Sequence, residues 1–167
     1  ACACVHQRPY YYLHRTSQRH LFHQEHLSMY TATTQIRVRY GETDQMGFLY
    51  YGFYALYYEV GRAEAIRDLG FTYRELEEMG VMMPVVELNA HYFRPALYDD
   101  LITVKTILKE LPEGSKIQFH SELFNEKGEL LNKGITTLVF VDAKEKKKVP
   151  IPQRLKDCLQ HYFLKEN

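Results

Sequence analysis

The chain has 167 residues, 46% of them hydrophobic and 25% charged, with 21 basic and 21 acidic side chains and so no formal net charge. That length suits one domain, which buries roughly two thirds of its unfolded surface, and the balanced charge offers no footing for nucleic acid. No apolar run approaches the ~20 residues of a membrane helix, since the aromatic run that starts at Tyr50 meets Glu59.

Cys2, Cys4 and Cys158 form neither a disulfide ladder nor a C-x-x-C pair, which points to a reducing compartment, the cytoplasm. Five of the eight histidines precede Leu27, but without the spacing of a tetrahedral site, so no metal is expected. Residues 1–28 are rich in His, Arg, Gln and Tyr and have no helical or strand period. They are read as a tail: either a transit peptide, with Arg8, Arg15, Arg19 and the single acid Glu25, or a non-native extension ahead of a start at Met29. The second reading is preferred, because Met29 stands just before the first strand pattern, and the folded domain is assigned to 29–167.

From 33 to 40, Gln35, Arg37 and Arg39 alternate with Ile36, Val38 and Tyr40, the period of a half-buried strand that Tyr40 and Glu42 close. After the break at Gly41 the period changes. Tyr50, Tyr54, Tyr57, Gly61, Ala65 and Leu69 share one helix face, and Gly70 stops the helix. About twenty helical residues span ~30 Å, with Glu59 and Arg62, and Glu64 and Arg67, placed to pair weakly on the surface. Gly61 and Ala65 on the buried face predict a close approach to a sheet. Thr72, with Glu75 in capping-box position, starts a short second helix that Gly80 closes.

Residues 81–94, 101–111, 116–125 and 130–142 read as strands, with Pro84 marking an edge or bulge. Gly114 and Gly128 serve two hairpins, residues 95–100 form a looser turn, and 153–164 a closing helix behind Pro150 and Pro152. The result is an α+β domain, a five-stranded antiparallel sheet wrapped around one long helix. One helix is too little to cover such a sheet, so self-association is expected.

Asp44 falls between the first strand and the long helix. A helix N-terminus carries unpaired N–H groups and a positive dipole end, which can polarise a carbonyl while a nearby carboxylate attacks it or activates water. The same position also suits an Asp that only caps a helix or an Asx turn, and spacing leaves both readings open.

The run R-V-R-Y-G-E-T-D-Q-M-G-F-L-Y-Y-G-F-Y, Arg37 to Tyr54, resembles the signature of hotdog-fold acyl-CoA thioesterases, the family of 4-hydroxybenzoyl-CoA thioesterase and the Tol-Pal-associated thioesterases. The segments Y-Y-E-V-G-R-A-E, Y-F-R-P-A, Y-D-D-L and F-V-D follow in the family's order. The resemblance implies the hotdog fold and hydrolysis of an acyl-CoA to a free acid and coenzyme A, with no cofactor beyond the coenzyme A of the substrate. It implies Asp44 as nucleophile or general base, the backbone N–H of Tyr51 as oxyanion donor, Tyr40 near the substrate, and Lys116 near the nucleotide phosphates. It also implies a site between the subunits of a homodimer, with dimers pairing into homotetramers. Where the Tol-Pal branch has His, this chain has Tyr51.

Elsewhere, Glu59 is assigned to pairing with Arg62, Lys146, Lys147 and Lys148 to a solvated turn, and His91 and His120 to structural positions. Two other activities stay open: a hotdog dehydratase or hydratase, although the signature lacks its His, and a non-catalytic acyl-CoA or acyl-carrier-binding module.

Overall fold

The computed structural model describes residues 29–163. The tail 1–28, with Cys2 and Cys4, and the last four residues of the assigned domain lie outside the described residues.

Strand β1, Tyr30–Arg37, starts and ends earlier than its pattern suggested. Its alternation persists to the buried Val38, but Tyr40 and Glu42 do not end the strand. They form a 3-10 turn, Tyr40–Glu42, which sends Tyr40 outward (80% exposed) and buries Glu42 (4%). Helix α1, Tyr54–Asp68, follows a separate 3-10 turn, Tyr51–Phe53, and Gly70 closes it at φ 75°. Tyr54, Tyr57, Gly61 and Ala65 are buried as the stripe requires, joined by Tyr58, Arg62 and Ile66, whereas Tyr50 lies ahead of the helix and is exposed. The ion pairs Glu59–Arg62 and Glu64–Arg67 both form, although the Arg62 side chain is buried. Helix α2, Tyr73–Glu78, has the expected capping box between Thr72 and Glu75.

The expected strand 81–94 is divided at Pro84 into β2, Val81–Met82, and β3, Val85–Tyr92, because proline cannot donate to a ladder. Strands β4, Leu101–Leu108, β5, Lys116–Phe124, and β6, Leu130–Val139, are joined by hairpins. A short β7, Val141–Asp142, pairs with β2, and α3, Gln153–Phe163, ends the described chain.

The main sheet is antiparallel in the order β1-β4-β5-β6-β3. Consecutive β3 and β4 are therefore not neighbours, and the segment 93–100 carries the chain across one end of the domain. Backbone bonds from Leu49 N–H to Ala96 (2.8 Å) and from Val38 N–H to Asp100 (2.9 Å) pin this crossing above the start of α1. Helix α1 packs against the sheet so closely that a Cβ on Gly61 would lie 2.7 Å from both Thr106 Oγ1 and Val104 Cγ1. At the other edge, β3 pairs only with β6 among the described residues and leaves Val85, Val86, Leu88 and Tyr92 exposed.

Candidate active site

The residues between the first 3-10 turn and α1 fold on themselves. Thr43 pairs with Leu49, and Gly47, at φ 75°, turns the chain so that its N–H reaches the Asp44 carbonyl at 2.9 Å. Asp44 N–H in turn donates to the Phe48 carbonyl at 2.9 Å. The Asp44 side chain takes part through one oxygen: Oδ1 accepts from Met46 N–H at 2.8 Å and Phe48 N–H at 3.3 Å. Asp44 thus forms an Asx-type turn rather than a helix cap, since the helix entry has no side-chain cap. Its Oδ2 has no hydrogen-bond partner among the described residues.

Tyr50 donates its N–H to the Glu42 carbonyl at 2.9 Å, and Phe53 donates to the Tyr50 carbonyl at 2.9 Å. The N–H groups of Tyr51 and Gly52, at the start of the turn, have no acceptor among the described residues. They are the orphan donors of a helix beginning. Asp44 and Tyr51 share a cavity of about 340 Å³, whose wall also includes Tyr54, Tyr92, Phe93 and Arg94. The Tyr54 and Tyr92 rings meet edge to face at 5.1 Å, and the Tyr92 hydroxyl donates to the Tyr51 carbonyl at 3.3 Å.

Tyr40 lies on the other side of Asp44. It meets Tyr98 edge to face at 5.7 Å, and the two rings border a second open cavity with Asp44. Asp44, Tyr51 and Tyr40 are therefore brought together, but Lys116 is not. Arg37 pairs with Leu101 at the Asp44 end of the sheet, whereas Lys116 starts β5 beyond the Ile107–His120 pair at the opposite end. About ten residues of strand at ~3.3 Å each put roughly 30 Å between Lys116 and Asp44 of one chain. There Lys116 borders a separate cavity with Lys109 and His120, and burial, then Lys109, holds the His120 pKa below its ordinary value.

Glu42, Tyr92, Arg94 and Tyr98 were not singled out from the sequence. Glu42 is the least expected, because an acid in a loop is normally solvated. Its Oε2 accepts from Arg39 N–H at 2.9 Å and from the Tyr57 hydroxyl at 2.8 Å, and its Oε1 from Arg39 Nε at 2.9 Å and from Arg39 Nη2. Burial alone would raise its pKa, but the Arg39 and Tyr57 donors outweigh it and hold the carboxyl below its ordinary value. Burial and the Glu42 carboxylate push the Tyr57 hydroxyl up. The Y-F-R-P-A and Y-D-D-L segments were the available signal for Tyr92, Arg94 and Tyr98. Glu59 is exposed on α1, bound to Arg62 at 3.3 Å, and takes no part in the Asp44 cavity.

A family model described as the thioesterase-like superfamily matches residues 38–159. The chain belongs to that superfamily. YneP of Bacillus subtilis (strain 168) is 36% identical over 129 residues, which cover 77% of this chain and 93% of YneP. The acyl-CoA thioesterase YbgC of Haemophilus influenzae is 32% identical over 127 residues, 75% of this chain and 92% of the relative. Among solved structures, a DHNA-CoA thioesterase from Staphylococcus aureus matches with a TM-score of 0.71 at 35% identity, covering 76% of this chain and 85% of that one. The superfamily's hotdog architecture is the one described above, a single long helix held by a five-stranded antiparallel sheet.

Proposed function

We propose that this protein hydrolyses acyl-CoA thioesters to a free acid and coenzyme A, with Asp44 and the N–H groups at the start of the helix as the reacting machinery. The observation that carries this reading is the cavity lined by both Asp44 and Tyr51, whose Oδ2 and N–H respectively have no partner among the described residues. The thioester oxygen lies at the N–H groups of Tyr51 and Gly52, which strengthen their bonds as negative charge develops there. Asp44 Oδ2 takes a proton from water as the hydroxide adds to the carbonyl carbon. The tetrahedral intermediate then expels the coenzyme A thiolate, which receives that proton. Direct attack by Oδ2, followed by hydrolysis of the resulting anhydride, gives the same products. Coenzyme A enters as part of the substrate, and these steps call for no further group.

The working unit is a homodimer joined along β3. Support comes from the exposed apolar side chains of that edge, Val85, Val86 and Leu88, beside a row of backbone groups that no other strand pairs among the described residues. A two-fold axis through the β3 edge reverses one subunit end for end. It carries the second subunit's counterpart of Lys116 to the end of the sheet where Asp44 lies, where it can meet a phosphate of coenzyme A. Tyr40 borders the substrate within its own chain.

Thiol release from a panel of aromatic and aliphatic acyl-CoAs tests the reading. Turnover by the wild-type protein and a loss of several orders of magnitude in kcat for a folded Asp44→Asn variant are expected. Near wild-type release by that variant would remove Asp44 from the mechanism, and tight binding without turnover would replace hydrolysis with a binding role.

A further inference from the structure

We infer that Glu42 is a positioning residue that fixes the Asp44 carboxylate relative to the Tyr51 N–H group; the inference rests on the hydrolytic reading above. The two reacting groups lie on separate pieces of chain. Asp44 belongs to the folded-back loop, and Tyr51 begins the helical segment. Glu42 contacts both sides. Through the chain it is two residues from Asp44. Its carbonyl accepts the N–H of Tyr50, the residue immediately ahead of the oxyanion donor, at 2.9 Å, and its carboxylate accepts the hydroxyl of Tyr57, on the first turn of α1, at 2.8 Å.

The surroundings of Glu42 make this a rigid link. Burying a carboxylate is costly unless it is paired and hydrogen-bonded. Here four donors meet its two oxygens: the Arg39 N–H, Nε and Nη2 from the solvent side and the Tyr57 hydroxyl from the core side. Arg39 is largely exposed and Tyr57 is 2% exposed, so the carboxylate bridges surface and core. Buried ion pairs contribute little net stability against apolar substitutes, and their best-supported use is to select one arrangement over others. The arrangement selected here is the placement of the Asp44 loop against the helix start. A displacement of about 1 Å between reacting groups can cost ~100-fold in rate.

The test uses the full chain with Glu42→Gln and Tyr57→Phe, each alone and combined with Asp44→Asn. It reads kcat and KM on an acyl-CoA that the wild type turns over, and amide hydrogen exchange at Asp44, Leu49 and Tyr50. In the single variants kcat is expected to fall about 10- to 100-fold with KM within about threefold. Exchange at the three amides should rise while β4 and β5 stay protected. In the Asp44→Asn background the further loss should be below about threefold, since a residue acting through Asp44 has little left to act on. The inference is overturned by wild-type kcat in both single variants, by an undiminished loss in the Asp44→Asn background, or by unchanged exchange at the three amides. If Glu42→Gln does not fold, Tyr57→Phe, which removes one hydroxyl, carries the comparison. Absence of turnover in the wild type strikes the hydrolytic reading itself, and the exchange measurement still decides whether Glu42 holds the loop.

Discussion

The tip of the Tyr58 ring closes on Gly134: a Cβ built on Gly134 would run into Tyr58 Cζ and fall 2.7 Å from the hydroxyl oxygen. Tyr58 crosses from α1 to β6 at this point, and its hydroxyl bonds to the buried Asn132 side chain, which itself donates to the His91 carbonyl at 3.0 Å. Nothing larger than hydrogen fits at this position. Gly134→Ala is therefore expected to destabilise the fold by about 1–3 kcal/mol, the usual cost of overpacking a filled core. Chemical denaturation checks this, and a change under about 0.5 kcal/mol would show that the helix and sheet can separate freely.

Asp44 has two separable roles, and two substitutions separate them. Asparagine keeps an Oδ1 that can accept from Met46 and Phe48, whereas alanine leaves both N–H groups without that partner. Asp44→Asn should match the wild type in thermal stability, and Asp44→Ala should be less stable by about 1 kcal/mol, the scale of a lost local hydrogen bond. Both should lose turnover. Paired melting and thiol-release measurements give the comparison.

Tyr50 has φ −58° and ψ 134°, the extended geometry that a following proline requires. Tyr51 is the first residue of its turn, where proline fits a helix start. Tyr51→Pro should therefore fold while deleting one of the two proposed oxyanion donors, with a loss of about 100- to 1,000-fold in kcat. Tyr51→Ala, which removes the ring and keeps the N–H, should lose far less. Equal losses in the two variants would place the importance of Tyr51 in its ring.

The carboxyl of Glu42 titrates below its ordinary range in the folded chain because the Arg39 and Tyr57 donors outweigh its burial. A depressed folded pKa means that the unfolded state takes up a proton first as pH falls. The stability Glu42 contributes is thus complete above its unfolded pKa of about 4.3 and is lost as pH drops through the lower folded value. The Tm gap between wild type and Glu42→Gln should be full at neutral pH and shrink in acid. A gap that widened in acid would reverse the sign assigned here.

Leu88 stands exposed on the edge strand β3. Leu88→Arg should convert the proposed dimer to a monomer in sedimentation velocity, and the monomer should lose activity if the second subunit completes the site. A monomeric wild type would remove β3 as an interface.

Much of the fold was legible because its signals are local. The stripe of Tyr54, Tyr57, Gly61 and Ala65 repeats at the pitch of a helix, and the strand alternation and the Thr72–Glu75 box each act within a few residues. Pro84 divided a strand for a reason contained in the residue itself. The turn at Tyr40–Glu42 was missed because the alternation of β1 runs past the true strand end, and the contacts that mark the turn, among them Tyr57 with the Glu42 carboxylate and Tyr50 N–H with its carbonyl, are made in the folded chain. Asp44 could be singled out by its place before a helix and by the resemblance, but not its division into one tied and one free oxygen. That depends on where Met46 and Phe48 point their N–H groups.

The sequence by itself determined most of the elements and their order, because these rest on spacing along the chain, and its resemblance to the thioesterase signature supplied the family and the candidacy of Asp44, Tyr51 and Tyr40. The tertiary structure alone decided that β3 and β4 lie apart, that Lys116 stands at the far end of the sheet from Asp44, and that Glu42 is buried between Arg39 and Tyr57. Each of these depends on contacts between residues distant in sequence, which follow from how the sheet orders its strands around α1 and leave no periodic trace in the chain.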